Sequence, residues 1–99
     1  MLSLLLLKEG EDVMKFSDIE VKINTDVEEP EHWHGEIEYI YVIHGIAKIT
    51  IEGVEYRVTQ NEMVLVNSGK KHLISTEKDA MLCRIYLPYH DICNYLMED

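Results

Sequence analysis

Residues 31–38 read Glu-His-Trp-His-Gly-Glu-Ile-Glu. On an extended strand, residues two apart share a face. His32, His34 and Glu38 therefore have one parity, and Glu36 has the same. Two imidazoles and a carboxylate projecting into one cavity are natural ligands for a divalent first-row metal such as Zn, Ni, Fe or Mn. His72 opens a later run after the turn signal Asn67-Ser68-Gly69, and it would complete a set of four. Glu36 is an alternative ligand or a nearby acid–base group, and a bulge at Gly35 would spoil simple parity. The same side chains also suit a metal-free pocket that hydrogen-bonds a ligand, because neutral imidazole both donates and accepts. No Ser or Cys lies in a nucleophile elbow, and the sequence has no Gly-rich phosphate loop.

Such side chains need strands to position them. Short alternating runs separated by turn signals favour an all-β sandwich or barrel. Ile19, Val21 and Ile23 alternate with polar residues and predict a half-buried strand. Residues 24–31 are polar, contain Pro30 and predict a loop, with an acidic stretch that leads into His32. Strands are expected at 36–44, 46–51, 55–58, 63–66, 72–76 and 81–87. Gly45 breaks the first pair, and Glu52-Gly53 offers a two-residue hairpin turn. Residues 2–7 are a candidate first strand or arm. Past Pro88, Ile92, Tyr95 and Leu96 have helical spacing, which predicts a short C-terminal helix over 90–98. That helix meets the chain end at Asp99 without a cap, as expected for a fragment of a longer protein.

Composition bounds the function. The 99 residues include 9 Lys+Arg against 19 Asp+Glu, a formal charge of −10, and 46% are apolar. One domain over 1–99 fits this length, with a core at about 19–87. The charge excludes a basic nucleic-acid-binding face and disfavours an anionic membrane surface. The aliphatic run at 4–7 is too short to span a membrane, and it lacks the basic leader and small-residue cleavage site expected of a signal peptide. Cys83 and Cys93 read as reduced thiols of a cytoplasmic protein, with Cys83 in the core. Trp33 is assigned to the barrel exterior or rim, Tyr39 and Tyr41 to the outer sheet face. His44 and His90 are assigned to the surface. Arg57 and Arg84, the two arginines of the chain, are solvated, ion-paired or able to clamp an anion.

The spacing His-x-His, three residues, Glu, six residues, Gly, met by His32, His34, Glu38 and Gly45, resembles the first motif of the cupins. The second cupin motif runs Gly, five residues, Pro-x-Gly, two residues, His, three residues, Asn. It falls on Asn61, Asn67, Gly69, His72 and Thr76, of which Gly69 and His72 match. The glycine expected six residues before His32 is Asp26. The resemblance covers roughly residues 26–87. It implies a jelly-roll barrel, or double-stranded β-helix, with a pocket between two sheets and metal-ligand positions at His32, His34, Glu38 and His72. The wording of the strands is also similar to the sensing domain of AraC-type transcription regulators, notably at 36–42, 51–56 and 63–67. That likeness implies a small-molecule effector, a homodimer, and DNA binding by a C-terminal part missing from this chain. The alternative is a free-standing metal cupin enzyme of dioxygenase or isomerase type.

Overall fold

The computed structural model describes residues 19–89. They form eight strands: β1 (Glu20–Thr25), β2 (Glu28–His32), β3 (Ile37–His44), β4 (Ile46–Ile51), β5 (Val54–Thr59), β6 (Met63–Val66), β7 (His72–Thr76) and β8 (Met81–Leu87). These make two four-stranded sheets, ordered β1-β8-β3-β6 and β2-β7-β4-β5. Every neighbouring pair is antiparallel. This is the expected all-β jelly roll. The arm at 2–7, the helix at 90–98, Cys93 and His90 lie outside the described residues. Among the described residues, no helix is long and apolar enough to cross a membrane.

Alternation builds the interior. The even residues of β3 (Glu38, Ile40, Val42) and the odd residues of β4 (Ala47, Ile49) are fully buried. They meet Val58, Val66, Ile74 and Leu82 in one cluster. Turn chemistry sets the register. Glu52 and Gly53 both have positive φ, at 48° and 82°, the backbone of a tight hairpin that matches strand twist. Gly45 has φ +87°, and a Cβ there would lie 2.9 Å from Ala80 Cα and Cβ. Glycine is thus required both by its torsion and by the close approach of the turn preceding β8.

Three expectations change. Residues 28–32 are a strand, not a loop. β2 is a sheet edge, and its register shifts between Glu29 and His32. An edge with a bulge is where Pro30 is tolerated, because no ladder donor is lost. The second change concerns β1, whose apolar residues do not face the barrel. Lys22 pairs with Arg84, and Val21 with Ile85, so Glu20, Lys22 and Asn24 point inward while Val21 and Ile23 are exposed on the outer face. Alternation predicts a strand without saying which face turns in. Third, Cys83 is half-buried on that outer face, packed beside Ile37, Ile85 and Leu87 together with Tyr39, rather than in the barrel core.

Candidate functional site

His32 ends β2, His34 lies in the short connection, and Glu38 is the second residue of β3. They do not share one strand, so the parity argument gives the right grouping for an incomplete reason. The chain turns between His32 and Ile37, and β2 and β3 belong to opposite sheets. His72 opens β7 and pairs directly with His32 across the ladder. The loop that delivers it is tied to the histidine connection, since Gly69 N donates to the His34 carbonyl at 2.9 Å. His32, His34, Glu38 and His72 all converge.

The rings are held by the backbone. Nδ1 of His32 donates to the Pro30 carbonyl at 2.9 Å, Nδ1 of His34 to the Glu36 carbonyl at 3.1 Å, and Nδ1 of His72 to the Lys70 carbonyl at 2.8 Å. A carbonyl only accepts, so each Nδ1 carries its proton and each neutral ring keeps its free lone pair on Nε2. The ring centroids of the three lie 4.4 to 5.5 Å apart. One ring nitrogen from each falls within 4.8 Å of the others, and His32, His34 and His72 could hold a metal ion. Glu38 Oε1 lies 3.0 Å from His34 Nε2 and 3.2 Å from His72 Nε2. First-row ions bind such ligands at about 2.1 Å, which places neighbouring donors about 3.0–3.4 Å apart. The donor set fits the group that the fold implies.

Glu36 stands apart from the cluster. Its side chain is about half exposed, with Oε1 3.5 Å from His34 Nδ1, and its backbone carbonyl orients that ring. Trp33, in the same connection, is 64% exposed.

The second carboxylate oxygen of Glu38 is taken by a buried arginine. Arg84 Nε donates to Oε2 at 2.7 Å, and Arg84 Nη2 donates to Glu29 Oε1 at 2.6 Å. Glu29 Oε1 in turn lies 3.5 Å from His32 Nε2. Burial works to raise the Glu38 carboxyl. The hydrogen bond from His72, the charge and hydrogen bond of Arg84, and the His34 contact outweigh it and hold Glu38 at about 2. Burial likewise opposes charge on His72, yet the Glu38 and Lys70 hydrogen bonds and two nearby carboxylates raise its pKa above the ordinary value. Tyr86, edge-on to His34 with centroids 5.7 Å apart, has its phenol pushed up first by burial and then by the Glu38 charge.

Sequence reasoning left Arg84 and Glu29 out of the site. A signal for Arg84 existed, because 81–87 is apolar at every other position except Tyr86. A charge in such a run is buried whichever face turns in, and a buried charge needs a partner. For Glu29, the expectation of a loop at 24–31 hid the signal.

A family model described as a Cupin domain matches residues 19–88. The uncharacterized HTH-type transcriptional regulator YdeC of Bacillus subtilis (strain 168) is 33% identical over 54 residues, 54% of this chain. That match takes in 18% of the regulator's own length. KdgF from Halomonas sp. superposes with a TM-score of 0.67 at 17% identity, over 77% of this chain and 75% of that one. Bacillus subtilis oxalate decarboxylase, a protein with Mn(II) centres, superposes with a TM-score of 0.61 at 23% identity, over 71% of this chain and 21% of that one. These superpositions speak to the shared fold.

Proposed function

Because the chain belongs to the cupin family, we propose that it is a metal-centred module that binds a small molecule between its sheets and acts as the sensing part of an AraC-type transcription regulator. One observation carries the metal reading. Three imidazoles have their Nδ1 protons committed to backbone carbonyls. Two of their Nε2 atoms face a carboxylate oxygen, itself an acceptor. Acceptors brought together this closely need a cation or added protons between them. His32, His34, His72 and Glu38 Oε1 would hold a divalent first-row ion. The ion would supply a Lewis-acid centre for a ligand oxygen. Arg84 holds Glu38 so that a single oxygen is presented.

The regulator reading rests on the likeness to a helix-turn-helix regulator and on the −10 charge, which leaves DNA contact to a basic region outside these 99 residues. The chain then works in the cytoplasm. A ligand that binds one arrangement of the barrel better shifts the attached DNA-binding units between two positions. Pairing such units calls for a homodimer, the commonest symmetric assembly. The outer face with Tyr39 and Tyr41 would supply contacts for it. A second reading, a free-standing enzyme of dioxygenase or isomerase type, is favoured by the fold shared with oxalate decarboxylase.

Metal uptake is tested by titrating chelator-treated protein with Zn(II) and counting bound ion. The expected result is one ion per chain, lost in His34→Ala and His72→Ala. No uptake, or uptake unchanged in both variants, overturns the metal reading. The protein encoded by the native reading frame tests the role. Binding to its own upstream DNA that changes with metal supports the sensor, whereas turnover of a small acid without DNA binding supports the enzyme. Sedimentation equilibrium of that protein decides the homodimer.

A further inference from the structure

A groove of about 470 Å³ opens between the edge strands β5 and β6, with Ile51, Val54, Tyr56 and Val64 among its lining residues. Register turns all four inward. Tyr56 pairs with buried Ile49, Val54 with Ile51, and Val64 with buried Ile40. Yet Val54 is 53% and Tyr56 45% exposed. Inward-facing apolar side chains are thus left uncovered inside the barrel mouth. The size is that of a small-ligand pocket, roughly 300–1,000 Å³.

None of the cluster residues lines the groove, but its lining strands adjoin the histidine cluster. Ile51 is the cross-strand partner of His72. Val66, partner of Glu38, is followed by the lining residue Asn67. The carbonyl that orients His72 belongs to Lys70, a further lining residue. Charge then selects the head of the ligand. Arg84 serves both Glu38 and Glu29, so this group has one net negative charge, and a divalent ion beside neutral imidazoles leaves the site positive. Lys70 adds a second positive charge at the rim, with no ion pair among the described residues. The other charged lining residue, Glu52, keeps its negative charge, with its carboxylate engaged by the Lys71 N–H at 2.8 Å, so the excess positive charge lies at the ion rather than at the rim.

We propose that the groove takes the apolar body of a small monocarboxylate whose carboxylate faces the histidine cluster and Lys70. This rests on the metal-centred reading above. The 99-residue chain, ¹⁵N-labelled and loaded with Zn(II), is titrated with acetate, benzoate and benzyl alcohol. Benzoate is expected to shift the amides of Ile51, Val54, Tyr56 and Val64. Its midpoint should be about tenfold or more below those of acetate, which lacks the ring, and benzyl alcohol, which lacks the charge. Tyr56→Ala, which leaves the histidines in place, should weaken benzoate and not acetate. Equal midpoints, or shifts confined to other residues, overturn the proposal. So do shifts of these amides with protein concentration alone, which would mark the groove as a contact between copies. Zn(II) stoichiometry separates the two readings. If no ion is taken up, the metal reading fails, and the metal-free titration decides the groove. A preference for benzoate over both other probes keeps the assignment, and no preference removes it.

Discussion

Arg84 reaches Glu38 diagonally across β8 and β3, its Nε 2.7 Å from Oε2, with both residues buried. The register makes this possible, since Arg84 pairs with Ile40 and Tyr86 with Glu38. Diagonal neighbours lie within reach of a long side chain. The pair neutralises a carboxylate inside the barrel and leaves its other oxygen toward the histidines.

Removing one partner of such a pair strands the other. Arg84→Met is expected to cost about 3–5 kcal/mol in urea unfolding of the metal-free chain, because Glu38 is left as an uncompensated buried charge. The double variant Arg84→Met/Glu38→Gln should recover part of that loss. Added Zn(II) should stabilise Arg84→Met more than the parent, since the unneutralised carboxylate is the stronger ligand. Equal stabilisation of the two would mean that Glu38 is not in contact with the ion.

The pH dependence of the metal-free chain has two limbs. Glu38 sits at about 2 when folded against an ordinary 4.5. A depressed carboxyl contributes stability above 4.5 that is lost as pH falls toward 2. His72 is raised above its ordinary 6.5, so its contribution is full below 6.5 and is lost as pH rises through the folded value. Urea midpoints should therefore be highest between about 4.5 and 6.5. Glu38→Gln should flatten both limbs, because the same hydrogen bond underlies each shift. An unchanged profile in that variant would remove Glu38 as the cause.

The drifted turn positions show how much of the fold was legible. Asp26 and Asn61 stand where the two motifs have glycine, and their φ values are 56° and 69°. Asp and Asn enter this region more readily than other non-glycine residues, and each makes a bond there that glycine cannot. Asp26 Oδ1 accepts from Asp79 N at 2.7 Å, and Asn61 Oδ1 accepts from Tyr41 OH at 2.7 Å. The motif spacing survived because the backbone did. Strands β3 to β8 were readable from alternation and turn residues. β2 was not, since an exposed acidic edge strand with a bulge has no apolar period. The convergence of His32, His34, Glu38 and His72 was readable by spacing. The need of Arg84 for a partner was readable from its apolar run, but its pairing with Glu38 and Glu29 was not, because that depends on which face of β8 turns inward.

Gly45 separates strain from space. Gly45→Ala meets Ala80 at 2.9 Å and keeps φ +87°, whereas Gly53→Ala at φ +82° meets nothing within 4 Å. The left-handed torsion alone costs roughly 1–2 kcal/mol. Gly53→Ala should lose about that much in urea unfolding, and Gly45→Ala distinctly more, because Ala80 is fully buried immediately before β8 and cannot move without shifting that strand. Equal losses would show that the turn gives way without cost.

Ring tautomers provide the most direct reading of the site. Backbone carbonyls at Pro30, Glu36 and Lys70 hold the Nδ1 protons, and that choice does not depend on the ion. Long-range ¹H–¹⁵N spectra of the Zn(II)-loaded chain should show His32, His34 and His72 all as Nδ1–H tautomers with Nε2 bound. In the metal-free chain at pH 6, His72 should be doubly protonated, since Glu38 favours the charged ring. Adding Zn(II) must then displace the Nε2 proton, so uptake should release protons and weaken as pH falls. An Nε2–H tautomer at His72 in the loaded chain would exclude that nitrogen as a ligand. It would also break the link between the Lys70 carbonyl and the metal.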